Sequence, residues 1–437
     1  MHAVTRYLSG NRFTRSNFVR NVALVMTGTA GAQALNMAFT PIITRLYGPE
    51  AFGVLGTFVA MLTIATPLAA LNYPMAIVLP KRDMDAAALV KLSLFIALIT
   101  SLVALILLFF FGHIIAKLFN LQSIEAYVLL MPLGMLLATT MALANEWVAR
   151  KKLFKIKAQV TVMQALWLNL AKVGLGLFLP VAAVLIVLTV IANATYALMM
   201  YFKVKAVSQL PALSSIGQAT KPLAAIAKNH SDFAYYRTPQ IFLNGVSQSL
   251  PVLMLAAFFG PAAAGFYSLG RTILGIPSTL LGQSVSSVFY PRFNESVQAG
   301  ENSYSLLLKA TLSLAVLGIV PFGLIILMGP WLFTLAFGDQ WGDAGQYARW
   351  LALWTFFAFV NRPCIAAIPV LALQGYFLAF ETVGLLMRGA ALLVGFLVFN
   401  DPLIAVALFS CVNVLLYLML AIATIISAKL HRVQEAV

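Results

Sequence analysis

Residues 92–116 read LSLFIALITSLVALILLFFFGHIIA, and these 25 positions hold no Asp, Glu, Lys or Arg. A helix rises about 1.5 Å per residue and a bilayer's hydrocarbon core is about 30 Å thick, so about 20 apolar residues suffice to cross it. The run is continuous, without the alternation of ten-residue barrel strands. It reads as a transmembrane helix.

Working outward, eleven further apolar segments are set off by charged residues or Pro and Gly, at 21–44, 51–78, 127–148, 158–179, 182–202, 239–259, 262–289, 304–328, 345–371, 377–399 and 402–427. The expected fold is all-α: a polytopic membrane protein of about 12 transmembrane helices. Composition agrees, at 62% hydrophobic, 9% charged and a mean hydropathy of +0.94, values that exclude a water-soluble domain. The first segment follows some twenty polar and basic residues, lacks a small-residue cleavage pattern and is long enough to span, so it is read as a membrane helix and not as a signal peptide. Cys364 and Cys411 lie in apolar segments without CxxC spacing, and both are read as core packing.

The net charge of +15 would suit nucleic acid, but its distribution says otherwise. Assigning connections to alternate sides of the membrane places 21 cations on the side of the N-terminal arm (Arg6, Arg12, Arg15, Arg20), including Lys81, Lys91, Arg150, Lys151, Lys155 and Lys203, against Arg45 and Lys117 on the other. Positive charge accumulates in cytoplasmic loops, so both termini are expected in the cytoplasm and no nucleic-acid partner is expected.

Gly48-Pro49-Glu50-Ala51-Phe52-Gly53 recurs as Gly260-Pro261-Ala262-Ala263-Ala264-Gly265 at an offset of 212, after the first and the seventh segment. An even number of spans per half would make the halves parallel repeats, giving two pseudo-symmetric six-helix bundles. The expected organisation is a cytoplasmic basic arm (1–20), an N-terminal bundle (21–202), a cytoplasmic linker (203–238), a C-terminal bundle (239–428) and a cytoplasmic tail (429–437).

Five cations fall within spans: Lys172, Arg271, Arg349, Arg362 and Arg388. A charge at the bilayer centre costs about 2.5–3.5 kcal/mol even on lenient scales, so such residues turn inward and mark a pathway. Arg349, beside Trp350 near the outer end of its span, is read as snorkelling to the interface. The other four lie deeper and either attract an anionic substrate in a lumen or pair structurally. Glu381 and Arg388 are seven apart, on one helix face, a spacing of about 10 Å that suits a polar track but is too long for a direct salt bridge. Glu381 is either a proton carrier or an interfacial charge at a helix end.

Uncharged polar residues add stripes: Thr29, Gln33, Asn36 and Thr40 in the first segment, and Gln240, Asn244 and Ser247 in the seventh, with Gln248 at the repeat position of Asn36. They line a shared lumen or act as interhelical glue. Trp331, Trp341, Trp350 and Trp354 are read as an aromatic interface belt, with a sugar-stacking surface as the alternative. No Walker, HExxH or GxSxG motif is present, and no clustered Cys/His spacing, so neither enzyme activity nor a metal or cofactor is expected.

Thr44-Arg45-Leu46-Tyr47-Gly48-Pro49-Glu50-Ala51-Phe52-Gly53, Ala76-Ile77-Val78-Leu79-Pro80-Lys81, Ala264-Gly265-Phe266-Tyr267-Ser268-Leu269-Gly270-Arg271 and Phe289-Tyr290-Pro291 resemble the bacterial polysaccharide (O-antigen type) flippases, of the superfamily that also holds multidrug extruders and the peptidoglycan lipid flippase. The resemblance implies an inner-membrane protein that moves an undecaprenyl-diphosphate-linked oligosaccharide by alternating access. Its partners would be that lipid-linked sugar, membrane lipids, coupling protons or ions, and a polysaccharide polymerase complex. Lys172, Arg271, Arg362 and Arg388 would hold the diphosphate, Gln33, Asn36, Asn244 and Gln248 would line the lumen, and Glu381 would be the coupling acid. The rival readings are a multidrug or ion antiporter of the same architecture and a membrane glycan polymerase or ligase.

Overall fold

The computed structural model describes the backbone of residues 2–118, 122–207, 222–299, 301–371 and 373–435; side chains 2–23, 115, 118, 277–288 and 431–435 within these ranges are not described. The side chains of the basic arm's arginines, residues 208–221 of the expected linker and the side chains of the tail beyond Leu430 therefore lie outside the described residues.

Among the described residues the chain is helical, without strands. The long helices are α1 (His2–Leu46), α2 (Pro49–Ala69) and α3 (Asp83–Leu118), followed after the four-residue α4 (Glu125–Val128) by α5 (Met131–Arg150), α6 (Phe154–Gly176) and α7 (Ala182–Lys205). The short α8 (Leu223–Asn229) precedes α9 (Thr238–Phe259), α10 (Pro261–Gln298), α11 (Ser303–Phe337), α12 (Gly342–Val360), the six-residue α13 (Arg362–Ala367), α14 (Gln374–Val394) and α15 (Pro402–Glu435). Among the described residues eight spans are long and apolar enough to cross a membrane, on α2, α3, α7, α9, α11, α12 with α13, α14 and α15, and Gln122–Val128 with α5, bent by 62°, makes a ninth. The three other long helices are α1, α6 and α10; in α6, Lys155, Lys157 and Lys172 lower the hydropathy. This is a multi-pass membrane protein.

The chain divides into two compact units, Met1–Tyr47 with Thr57–Ser249, and Gly48–Gly56 with Leu250–Val437. In the first, Tyr73, Ile77, Leu89, Trp147, Val160 and Met200 belong to a buried cluster beneath the loop from α2 to α3. Arg150 fastens that loop, donating from Nη1 to the carbonyls of Ile77 (3.0 Å) and Pro80 (2.6 Å) and from Nε to Asp83 (3.1 Å), with Lys151 also on the Asp83 carboxylate. Residues that the sequence uses as topology markers are thus also structural clamps.

In the second unit the two Gly-Pro repeats pack against each other. The Pro261 carbonyl occupies the place of a side chain on Gly53, and the Pro49 carbonyl the place of one on Gly265. The last glycine of each repeat receives the proline of the other. Gly260 opens its repeat at φ 86°, a conformation suited to a residue without a Cβ. Phe52 and Phe266, beside the two closing glycines, both meet Trp341 edge-on, at 5.1 and 6.1 Å between ring centres.

Trp341 is fully buried at this contact, so it is not a belt residue; Trp331 and Trp350 are exposed, and Trp354 stacks on Tyr417 at 6.5 Å. Cys364 is buried as expected, but Cys411 faces outward from α15 and packs no core.

Candidate functional site

Three of the four deep cations come together in the second unit. Arg388 of α14 is only 8% exposed, and its Nε donates to Asn413 Oδ1 on α15 at 2.9 Å. The amide of Asn413 in turn donates to the Phe409 carbonyl at 2.8 Å, which fixes its orientation. The other end of the guanidinium reaches Glu381, one Nη at 3.4 Å from Oε2.

That contact corrects the expectation that a seven-residue spacing is too long for a direct pair. Helix side chains slant toward the N-terminus, so a long arginine folds back over the preceding turns. The residue one turn before Arg388 is Gly384, where a Cβ would lie 3.4 Å from the guanidinium carbon. With no side chain there, the path to Glu381 is open.

The remaining charges gather around two tyrosines. Tyr267 of α10, fully buried, hydrogen-bonds Arg271 and lies within electrostatic range of Arg388. Tyr417 of α15 lies within range of Arg388, Glu381 and Arg362. Arg362 stands at the start of α13 with its Nε buried and, among the described residues, without a hydrogen-bond partner, as are Trp354 Nε1 and Ser410 Oγ. The site therefore sets three guanidinium groups against one carboxylate, in apolar helices where each unpaired charge is costly. Arginine's planar fork suits phosphate oxygens, and among the described residues the Arg362 Nε has no acceptor.

Lys172 is the fourth deep cation. It belongs to the first unit, where its backbone carbonyl accepts from the Tyr47 hydroxyl at 2.9 Å; among the described residues its ammonium forms no ion pair. Gln33, Asn36, Asn244 and Gln248 are in the first unit as well. Asn36 Oδ1 accepts from Asn169 Nδ2 at 2.7 Å, which joins α1 to α6 and favours the glue reading for that residue. Asn244 and Gln248 are exposed, and Gln33 is half-buried.

Arg349 also differs from expectation. Instead of only snorkelling, its Nε donates to the Ile326 carbonyl on α11 at 2.8 Å. Ile326 is four residues before Pro330, which has no N–H to donate, so the arginine satisfies a carbonyl that proline leaves open.

Asn413, Tyr417, Tyr267 and Asn169 are site or support residues that charge counting missed. Ser410, Asn413 and Tyr417 follow a three-then-four spacing in an otherwise apolar segment, a stripe of the kind found in the first and seventh segments. No grouping of three or more metal-ligating side chains occurs among the described residues.

The described helices form a multi-pass membrane protein, and solved structures bear out the fold. An inward-facing multidrug resistance MATE family transporter of the MOP superfamily superimposes with a TM-score of 0.71 at 15% identity, covering 91% of this chain and 95% of that one. The lipid II flippase MurJ, inward closed, gives 0.65 at 12% identity, covering 92% and 87%. By sequence, the chain belongs to the polysaccharide biosynthesis protein family, whose model matches residues 42–346. Succinoglycan biosynthesis transport protein ExoT of Rhizobium meliloti (strain 1021) is 23% identical over 360 residues, 80% of this chain and 68% of the relative.

Proposed function

We propose that this protein is a flippase that carries an undecaprenyl-diphosphate-linked oligosaccharide, a unit of O-antigen, capsule or exopolysaccharide, across the bacterial inner membrane by alternating access. In this reading it has twelve spans in two six-helix bundles (21–202 and 239–428), both termini are cytoplasmic, and it performs no covalent chemistry. The observation that carries the reading is the arginine cluster of α10, α13 and α14, in a chain of the polysaccharide biosynthesis family.

Arg271 and Arg362 hold the diphosphate, whose concentrated charge matches two guanidinium forks. Arg388, tied to Glu381 and Asn413, is the conditional third donor. A diphosphate drawing Arg388 toward itself releases Glu381 from its cation, and Glu381 is the candidate coupling acid. Proton movement and substrate movement are then linked through one ion pair. Lys172 and the polar residues of α1 and α9 serve the sugars and the first unit's share of the path, the lipid tail stays in the bilayer, and a polysaccharide polymerase receives the product.

The MATE-type fold gives the rival reading, multidrug or ion antiport, its support. A cationic cargo, however, is repelled by a site with three arginines and one acid. Reconstituted protein offered both cargoes separates the readings: movement of a defined lipid-linked oligosaccharide without ethidium efflux supports the flippase, and the reverse supports the extruder. Chain elongation by the protein alone would establish a polymerase instead.

A further inference from the structure

In the first unit an open groove of about 620 Å3 lies between α1, α6 and α7. Gly28 of α1 and Ala158 of α6 both line it, and they touch so closely that any Cβ at Gly28 would collide with the Ala158 backbone. Beside that contact the lining separates by chemistry. Leu24, Val162 and Met163 supply an apolar wall, whereas Lys155, Lys203, Gln159 and Thr27 supply donors.

The two lysines share one end of the unit. Lys155 is in the first turn of α6 and Lys203 in the last turn of α7, and these consecutive helices are joined at their opposite ends by residues 177–181. Both side chains are exposed, and among the described residues neither is in an ion pair and no acid lines the groove. Uncompensated cations beside an apolar wall fit an amphiphile with an anionic head. Basic pockets between membrane helices recognise such headgroups, and long lysine stems reach the headgroup level from a helix end.

We propose that this groove binds an anionic diacyl phospholipid of the surrounding bilayer, with its phosphodiester between Lys155 and Lys203 and an acyl chain along Leu24, Val162 and Met163. Thr27 and Gln159 reach the remaining headgroup oxygens. The occupant is a bilayer phospholipid and not the polyprenyl diphosphate, because exposed lysines at a helix end suit a monovalent phosphodiester at the interface. The arginine forks suit the diphosphate. The site stands independently of the cargo proposed above.

The test uses the full-length chain, delipidated and titrated with phosphatidylglycerol in phosphatidylcholine nanodiscs, with bound lipid read by native mass spectrometry. Saturable retention of phosphatidylglycerol over phosphatidylcholine is expected, weakened about fivefold by Lys155→Gln or Lys203→Gln, the worth of one cation near an anionic surface. Lys228→Gln, outside the groove, leaves retention unchanged. Met163→Trp, which fills the apolar wall without altering charge, also weakens it and serves as the second variant if the lysine changes impair folding. Equal retention of the two lipids, equal weakening by Lys228→Gln, or glycerol phosphate binding as tightly as the lipid overturns the proposal. So does undecaprenyl phosphate displacing phosphatidylglycerol with its own binding lost in the lysine variants.

Discussion

Arg388 is held by two groups of opposite character: Asn413, neutral and itself anchored to Phe409, and Glu381, an acid. Glu381→Gln keeps an acceptor for the guanidinium but cannot titrate. It should retain transport while losing the response to a pH gradient in liposomes; a response equal to that of the unaltered protein would remove Glu381 from coupling. On the aqueous side, the Lys151 hydrogen bond, and after it the contacts with Arg150, hold the Asp83 carboxyl below its usual range. A carboxyl depressed in the folded state stabilises above its unfolded pKa, and that contribution fades as pH falls through the folded value. Asp83→Asn should therefore lower the melting temperature at neutral pH, with the difference shrinking on acidification through the carboxylate range; a difference independent of pH would contradict the ion-pair account. At this scale the sequence shows charges well, since an arginine in an apolar run stands out. It shows their neutral partners poorly, because Asn413 or Asn169 looks the same whether it is glue, a lumen group or a ligand.

Helix ends and interruptions explain what periodicity leaves open. The segments at 92–116 and 402–427 fall within α3 and α15 because long apolar runs admit one reading, whereas 51–78 ends in a short 3-10 turn after α2, and 345–371 breaks between α12 and α13 at Asn361. Those breaks depend on tertiary groups, such as Arg150 on the carbonyls of Ile77 and Pro80, which no local pattern displays. The prolines are a related case. Pro330 is tolerated in α11 because Arg349 of α12 serves the Ile326 carbonyl. Arg349→Ala should destabilise the protein by about 1 kcal/mol, and Pro330→Ala in the same chain should recover most of that by restoring the helical bond. Additive losses in a melting-temperature cycle would show that the two residues are independent.

For the whole molecule, the Gly-Pro repeat is more informative than its length suggests. The sequence shows it as a sign of two related halves; the structure places its two copies in direct reciprocal contact within one compact unit. Gly53→Ala and Gly265→Ala each put a methyl into the other repeat's proline carbonyl, so each should cost about 1–3 kcal/mol, as overpacking does, and by similar amounts. A large loss from one and none from the other would deny the reciprocity. Helical content and membrane class are legible from hydropathy alone, but the contact between repeats is not, because symmetry in a sequence does not say whether its copies touch. The central claim is that the arginine cluster binds the diphosphate of a lipid-linked oligosaccharide, and it is tested most directly by translocation of a defined undecaprenyl-diphosphate oligosaccharide in liposomes, comparing the unaltered protein with Arg271→Gln and Arg362→Gln. The account predicts translocation by the unaltered protein and its loss in both variants at undiminished expression and folding; full translocation by both variants would contradict it.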